Sequence, residues 1–308
     1  MTDPLIVITG ATAGGKSGAA LVLAERVEAE IVSADSMQVY RGMDIGTAKP
    51  DAATCRRVPH HVIDLVDPWE GFSAQRFVEA STAAVADIRR RGRVPLVVGG
   101  TVLYIRALTE GLFEGPAADW PVRNRLAAEA DEHGADALHR RLADVDPASA
   151  EAIHPNDLRR IVRALEVYET TGQPISRQQR QFDPPDVAAR RRLIVLDRDR
   201  ADLYARIDRR VDRMMADGWL EEVRRLIDHP KGMGREASQA LGYRELRDHV
   251  GGRSTLEEAV TLTKQHTRQF AKRQLTWFRR FGDALWVHAD VGDSASTLAD
   301  RLAELLHA

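Results

Sequence analysis

The chain has 308 residues, which suits one α/β core with a smaller insertion, and 44% of them are apolar, enough to bury a sizeable core. Lysine and arginine total 44 against 46 acidic residues, so the net charge of −2 does not by itself indicate a nucleic-acid partner. Binding of nucleic acid would require a local basic patch. A single cysteine, Cys55, excludes a disulfide scaffold and a cysteine-rich zinc module, in agreement with a reducing compartment. We find neither a signal peptide nor an apolar run long enough to span a membrane, and expect a soluble cytoplasmic protein.

The N-terminal segment predicts a strand, a glycine turn and a helix in succession. An apolar run from Leu5 to Ile8 leads into Gly10-Ala-Thr-Ala-Gly-Gly-Lys16-Ser17, and an Ala/Leu-rich stretch follows. This is a P-loop in the setting that it requires. Its backbone N–H groups and helix N-terminus attract polyphosphate, its lysine reaches phosphate oxygens and its serine can hold Mg²⁺. The loop alone does not say which phosphate compound binds.

A second predicted strand, from Glu30 to Asp35, ends in an acidic residue. Because the carboxyl ends of parallel strands meet at one edge of a sheet, Asp35 should lie near the ligand of the P-loop. The residues alone leave open whether Asp35 acts on that ligand, caps the next turn or contributes to a Mg²⁺ site.

The next segments continue the alternation of strands and helices. The run from His60 to Leu65 predicts a strand, on which two adjacent histidines would point to opposite faces and serve as packing or hydrogen-bonding groups, not as metal ligands. A helix is predicted from Ser73 to Arg91, and a buried parallel strand from Val94 to Thr101.

The end of that buried strand bears on the chemistry. ATPases of the P-loop class usually place an acidic residue there, whereas this chain has Gly99, Gly100 and Thr101. Two glycines and a hydroxyl favour close approach and positioning of a substrate over activation of water. Phosphoryl transfer is therefore disfavoured.

The sequence pattern changes from Gly111 onward, and Gly115 and Pro116 mark a break. The sequence from Val122 to Phe182 predicts helices and no clear strand. We therefore predict an all-helical insertion over residues 113–183, within a core formed by 1–112 and 184–308. In its clearest helix, Leu158 to Tyr168, Arg159 and Arg163 are expected to share the solvent side with Arg160 near them, and could be an ordinary charged face.

Two later helices carry the remaining signals. After a strand from Arg192 to Leu196, a helix from Leu203 to Met215 places Arg206 and Arg210 one turn apart, either paired with Asp208 or Asp212 or turned toward phosphate.

Between Ala259 and Gly282 lie six basic residues and no acid, with aromatic residues interleaved. Lys264, Arg268 and Lys272 fall on one helical stripe. This pattern favours a nucleic-acid backbone site, with a solvated basic helix as the alternative; the aromatic rings serve core packing or base stacking.

Taken together, these motifs resemble the bacterial tRNA dimethylallyltransferase family. The resemblance runs from residue 5 to about 282 and rests on Gly10-x-Thr12-Ala13-x-Gly15-Lys16-Ser17, Asp35-Ser36-x-Gln38-Val-Tyr40-Arg41-Gly42-Met-Asp44-Ile-Gly46-Thr47-Ala-Lys49-Pro50, Pro59-His-His61, Val98-Gly-Gly-Thr101, Leu241-Gly242-Tyr243 and Arg268-Gln-x-Ala-Lys-Arg-Gln274-x-Thr276-Trp277-Phe278-Arg279. Departures are small: the family usually has Pro, Ser, Gly and Tyr at Ala11, Gly14, Val102 and Phe270.

The resemblance implies an α/β fold, a P-loop parallel sheet flanked by helices with an all-helical insertion domain. It also implies prenyl transfer from dimethylallyl diphosphate to N6 of the adenosine just 3′ of the anticodon, tRNA position 37. Arg210 with Thr12 would stabilise the departing oxygen, Asp35 would act on N6, and Thr101 would join them in catalysis.

Binding residues follow from the same resemblance. Diphosphate would be bound, with Mg²⁺ on Ser17, by Gly10, Ala11, Thr12, Ala13, Gly14, Gly15, Lys16 and Ser17. The tRNA anticodon stem-loop would be contacted by Asp35, Ser36, Met37, Gln38, Thr101, Arg123, Arg159, Arg160, Ile161, Val162, Arg163, Lys264, Arg268 and Lys272. The insertion and the basic helix would then grip the stem-loop from two sides, and a monomer is expected.

Two rival functions remain from the residues. One is a kinase for a nucleotide or another small molecule, with Asp35 as its base, which the basic stripe disfavours. The other is a nucleotide-gated RNA-binding module without chemistry, which the carboxylate beside the loop disfavours.

Overall fold

The computed structural model describes residues 4–111, 115–116, 118–178 and 190–307. The chain forms two compact units, one of Met1–Thr109 with Pro184–Ala308 and the other of Glu110–Asp183. The boundaries that we predicted, after residues 112 and 183, and the predicted end of the helical run at Phe182 lie outside the described residues.

A six-stranded sheet forms the centre of the larger unit. Its spatial order is β3-β2-β4-β1-β5-β6, and every pair of neighbours is parallel. The strands are β1 Leu5–Gly10, β2 Ala29–Ala34, β3 His60–His61, β4 Val94–Gly99, β5 Arg191–Arg198 and β6 Leu285–Ala289.

Helices cover both faces of this sheet. The helices of the larger unit are α1 Lys16–Arg26, α2 Ala52–Arg57, α3 Ala74–Arg90, α4 Val102–Glu110, α10 Arg200–Ala216, α11 Trp219–Asp228, α12 Tyr243–Val250, α13 Leu256–Phe278 and α14 Ala295–His307. Because successive strand residues face opposite sides, Val7 of β1 packs with Phe77 and Phe278 on one face, while Ile8 packs with Leu23 and Leu302 on the other. The predicted α/β fold with a parallel sheet flanked by helices is confirmed.

The smaller unit is helical. Its helices are α5 Trp120–His133, α6 Ala135–Val145, α7 Pro147–Ala152, α8 Leu158–Thr171 and α9 Ile175–Gln178. Asp157 accepts the Arg160 N–H at the start of α8, and Gly172 ends the helix in a left-handed conformation with φ +70°. Leu126, Leu138 and Ile161 contribute to an apolar core of this unit.

The strand that we predicted from His60 to Leu65 is wrong beyond its first two residues. Val62 and Asp64 take left-handed φ angles of +61° and +52°, which end the extended conformation. The two histidines do serve as hydrogen-bonding groups, since a His60 ring nitrogen lies 2.8 Å from the Val58 carbonyl and His61 Nε2 lies 2.7 Å from Glu30 Oε2.

The strand β6 was not predicted. It lies at the edge of the sheet, where Val287 and Ala289 are buried while Leu285 and Trp286 are exposed, so it lacks the continuous buried run of the inner strands. None of the helices in the described part of the chain has the length and apolar character that crossing a membrane needs.

Candidate active site

The P-loop connects β1 to α1 at the carboxyl edge of the sheet. Gly10 allows a close approach of β5, because a Cβ there would lie 2.4 Å from the Leu196 carbonyl oxygen. The turn continues through Ala13 with φ +60° and Gly15 with φ +103°. Gly15 precedes α1 without a side-chain cap, and the first turn of α1 holds no acidic residue. The helix N-terminus therefore presents backbone N–H groups and partial positive charge to an anion.

Three charged side chains, those of Lys16, Arg210 and Asp35, interact electrostatically at this loop. Burial, followed by the charge of Arg210, lowers the pKa of Lys16 to about 8, and the Asp35 carboxylate opposes that shift. Burial also lowers the pKa of Arg210, again opposed by Asp35. Two cations and one carboxylate therefore interact electrostatically at partly buried positions, so the site favours an additional negative charge.

Asp35 follows β2 directly and begins a tight turn. Its Oδ1 accepts the Met37 N–H at 2.9 Å, so the capping role that the sequence left open is real and engages one carboxylate oxygen. Thr101, just past β4, accepts the Ser36 N–H at 3.0 Å and donates to the Ser36 hydroxyl at 3.3 Å. The Thr101 N–H donates to the Ala34 carbonyl at 3.1 Å. Asp35 and Thr101 are thus brought together by adjacent strand ends.

Gln38 is directed inward by its hydrogen bonds. Its Oε1 accepts from the Ser33 hydroxyl at 2.9 Å, and its Nε2 donates to the carbonyls of Thr47 and Ala48 at 3.2 and 3.3 Å. In the segment just before these carbonyls, the buried carboxylate of Glu222 accepts the N–H groups of Asp44 and Ile45 at 3.0 and 2.8 Å. The segment after Asp35 is therefore held in place by hydrogen bonds from other residues of the larger unit.

Arg206 supports the P-loop from α10. Its Nε donates to the Ala13 carbonyl at 2.9 Å. The alternative pairing of the α10 arginines with Asp208 or Asp212 is wrong, because these acids form ion pairs with α13. Arg268 lies 3.6 Å from Asp208, and Lys264 lies 2.5 Å from Asp212.

The basic stripe of α13 is therefore not uniform. Lys264 and Arg268 are partly buried and paired with acids, whereas Lys272 is exposed. Of the aromatic residues, Phe278 and Phe281 lie in the core, as the packing interpretation requires.

In the helical unit, the buried carboxylate of Glu166 binds two of the arginines that the resemblance assigns to tRNA. Arg123 donates to its two oxygens at 2.8 and 2.9 Å, and Arg163 donates at 2.6 Å. Arg163 also donates to the Pro116 carbonyl at 2.9 Å. The expectation that Arg163 shares the solvent side with Arg159 is therefore wrong, since helical spacing alone does not reveal a buried partner.

The other predicted contacts in α8 divide into two groups. Arg159 and Arg160 are exposed, while the side chains of Ile161 and Val162 lie in the core of the helical unit. A phosphate could therefore reach the first two side chains without rearrangement of the helix.

One residue of the site was missed by reasoning from the residues themselves. Gln274 of α13 is 3% exposed; its Oε1 accepts the Thr12 N–H at 2.9 Å, and its Nε2 donates to the Gly100 carbonyl at 2.7 Å. The available signal was a polar residue at helical spacing from the buried Ala271 and Phe278.

Comparisons with known proteins agree on one family. Residues 38–281 match the family model of IPP transferase. A Geobacter metallireducens protein named tRNA dimethylallyltransferase is 51% identical over 92% of this chain and 92% of its own length. A Symbiobacterium thermophilum protein of the same name is 50% identical over 99% of this chain and 96% of its own.

Solved structures give the same result. The full-length tRNA isopentenylpyrophosphate transferase from Bacillus halodurans is 40% identical, with a TM-score of 0.71 over 99% of this chain and 97% of that one. A eukaryotic dimethylallyltransferase acting on tRNA is 30% identical, with a TM-score of 0.80 over 98% of this chain and 78% of that one. The resemblance inferred from the motifs is confirmed, and the chain belongs to the IPP transferase family.

Proposed function

We propose that the chain transfers a dimethylallyl group from dimethylallyl diphosphate to N6 of the adenosine at tRNA position 37, giving N6-isopentenyladenosine. The observation that carries this proposal is the electrostatic interaction of Lys16, at the uncapped start of α1, with Arg210 and Asp35, in a member of the IPP transferase family. The cations suit a diphosphate leaving group, and the carboxylate suits an amine acceptor. The kinase alternative is not favoured by the family to which the chain belongs.

Diphosphate would be bound by the whole loop. Its residues in this role are Gly10, Ala11, Thr12, Ala13, Gly14, Gly15, Lys16 and Ser17. Because the Thr12 N–H is engaged by Gln274, Thr12 would act through its hydroxyl, together with Arg210, on the departing oxygen. Positive charge held in place before the reaction stabilises the negative charge that develops on the leaving group.

Mg²⁺ fits this arrangement as a partner of the diphosphate. Ser17 is exposed in the first turn of α1, and the described residues contain no group of three or more acidic, His or Cys side chains that would form a metal cage. Mg²⁺ often binds through one or two protein oxygens together with phosphate oxygens and water. When bound, it would neutralise charge on the diphosphate.

Asp35 would serve the acceptor. The lone pair of an adenine amino group is delocalised into the ring, so the amine is a weak nucleophile. The Asp35 carboxylate can accept from the amine, orient it and take its proton as the N–C bond forms and the C–O bond to diphosphate breaks. Thr101 and Ser36 would hold the turn that carries this carboxylate.

The tRNA would be bound through its anticodon stem-loop, whose unstacked bases are accessible to a protein. The target adenosine must leave its stack to reach the sheet edge, where Ser36, Met37 and Gln38 follow Asp35. Phosphates would contact the exposed Arg159, Arg160 and Lys272, whereas contacts by Arg123, Arg163, Lys264 and Arg268 require these side chains to leave or share their acidic partners. A cytoplasmic monomer is part of this proposal.

The test supplies bulk tRNA with either labelled dimethylallyl diphosphate or ATP labelled on its γ-phosphate. We expect label from dimethylallyl diphosphate in RNA, released by nuclease digestion as isopentenyladenosine, and no transfer from ATP. Asp35→Asn is the matched control, because it keeps the size and the hydrogen bond to Met37 but cannot take a proton. Label from ATP in a small molecule would support the kinase and refute the prenyl transferase.

A further inference from the structure

Gln274 joins two strand ends that carry opposite sides of the proposed reaction. Its acceptor atom binds the Thr12 N–H in the P-loop after β1, and its donor atom binds the Gly100 carbonyl after β4. The residue lies near the end of α13, 262 positions from Thr12 and 174 from Gly100. One amide group thus links the diphosphate loop to the segment that ends in Thr101.

This contact leaves no free space. A Cβ on Gly100 would lie 2.4 Å from Gln274 Nε2, and a Cβ on Gly99 would lie 2.2 Å from the Ala34 carbonyl oxygen. The Thr9 hydroxyl of β1 donates to the Gly99 carbonyl at 2.8 Å. The two glycines are required because backbone and amide atoms of three elements approach at this point.

The linkage continues to the acceptor side. Gly100 is followed by Thr101, whose hydroxyl binds the backbone and side chain of Ser36, next to Asp35. Hydrogen bonds, together with the backbone from Gly100 to Thr101, therefore lead from the P-loop through Gln274 to the turn that carries the carboxylate.

Only a carboxamide of this length satisfies both ends. Its partners fix the orientation, since Thr12 offers a donor and Gly100 an acceptor. A glutamate would present an oxygen to the Gly100 carbonyl, and a methionine would leave the buried Gly100 carbonyl and the partly buried Thr12 N–H without this partner.

We propose that Gln274 is a positioning residue that sets the separation between the bound diphosphate and the acceptor amine. The inference rests on the proposed prenyl transfer. Gln274 would affect that reaction indirectly, through its contacts with the backbone of Thr12 and Gly100. Misplacement of reacting groups by about 1 Å can cost roughly 10²-fold in rate. Loss of this amide should therefore slow the chemical step more than it weakens the binding of either substrate.

The test compares Gln274→Met with Gln269→Met, which changes an exposed glutamine on the same helix. We would measure single-turnover prenyl transfer, the Kd for inorganic diphosphate and the Kd for an anticodon stem-loop, well below the melting temperature of each variant. For Gln274→Met we expect a rate about 10²-fold lower, with both Kd values within about threefold of the wild type. The Gln269→Met rate should stay within about twofold.

A second perturbation reaches the same contact from its other side. The added methyl group of Gly100→Ala would clash with the Gln274 amide and should slow prenyl transfer in the wild-type background. In a Gln274→Ala background, which lacks this amide, the same change should lower the rate little further. This coupling is a signature that general loss of stability does not produce.

Three results would overturn the inference. The first is a Gln274→Met enzyme with a single-turnover rate within threefold of the wild type. The second is an equal loss of rate and diphosphate affinity, which would restrict Gln274 to supporting the P-loop. The third is additive behaviour of Gly100→Ala and Gln274→Ala. A failure of the proposed function would be seen separately, as a wild-type protein that transfers no dimethylallyl group.

Discussion

Replacing Glu166 with glutamine tests how strongly the helical unit depends on its buried carboxylate. The side chain is 0% exposed and accepts from Arg123, from Arg163 and from the Asp119 N–H. A glutamine has one acceptor oxygen and would direct an NH₂ group at a guanidinium. Removing one partner of a buried ion pair costs about 3–5 kcal/mol. Since the side chains of Arg123 and Arg163 are 25% and 29% exposed and can be partly hydrated, we expect the lower end of that range.

The cost should depend on pH in a defined direction. Burial alone would raise the pKa of Glu166, but hydrogen bonds from Arg123, Arg163 and the Asp119 backbone outweigh it and hold the pKa below the ordinary 4.5. A carboxylate with a lowered pKa stabilises the fold above its unfolded-state pKa, and this contribution is lost as the pH falls through the folded-state value. The difference between wild type and Glu166→Gln should therefore be full at pH 7 and shrink below about pH 4.5.

The assay is hydrogen exchange of the α5 and α8 amides, measured by mass spectrometry between pH 4 and pH 7, with urea unfolding for the whole chain. Glu169→Gln is the matched control, because Glu169 lies three residues further along α8 and pairs with Arg125 and Arg141 but is 20% exposed. A more solvated pair of this kind is worth about 0–1 kcal/mol. Equal costs for the two variants at pH 7, or a Glu166→Gln cost that does not change with pH, would refute the reasoning.

Three further predictions concern catalysis and RNA binding. Arg210→Ala should lower kcat by about 10² to 10³, the scale of one preorganised electrostatic donor, and wild-type single-turnover kinetics would refute its role. Asp35→Asn should bind tRNA and diphosphate normally but lose about 10² to 10⁴ in single-turnover rate, whereas full rescue by excess Mg²⁺ would favour a metal contact over a general base. Lys272→Ala should reduce the salt slope of tRNA binding by about 0.7 to 0.9 and Lys264→Ala by less, because Asp212 already pairs with Lys264; equal changes in salt-titrated binding would contradict this.

The parts of the site that were predictable are local in sequence. The P-loop is recognisable within eight residues, because its glycines, its lysine and the start of the helix follow one another in the sequence. Asp35 was predictable because it directly follows its strand. The resemblance added the role of Arg210, whose interaction with Lys16 and Asp35 depends on how α10 packs against α13 and the P-loop.

The parts that were not predictable depend on partners far away in the chain. Glu166 looks like any acid of a charged helix until Arg123, 43 residues earlier, is seen beside it. The sequence predicts an unpaired basic stripe at Lys264 and Arg268, because the acidic residues that pair with them lie in another helix, α10. The end of β3 was missed because a left-handed φ angle is rare for a β-branched residue such as Val62 and leaves no mark in the hydrophobic pattern.

The order of the strands has a consequence for synthesis on the ribosome. The strand that leads into the P-loop, β1, lies between β4 and β5, and β5 begins only at Arg191. Until that part of the chain has emerged, β1 has one unpaired edge, and Gly10 lacks the Leu196 backbone against which it packs. Contacts between segments so distant in sequence form slowly, because the intervening chain must first lose its freedom. The phosphate loop, although encoded among the first residues, is therefore completed late, and nascent chains that stop before β5 expose a strand edge open to aggregation.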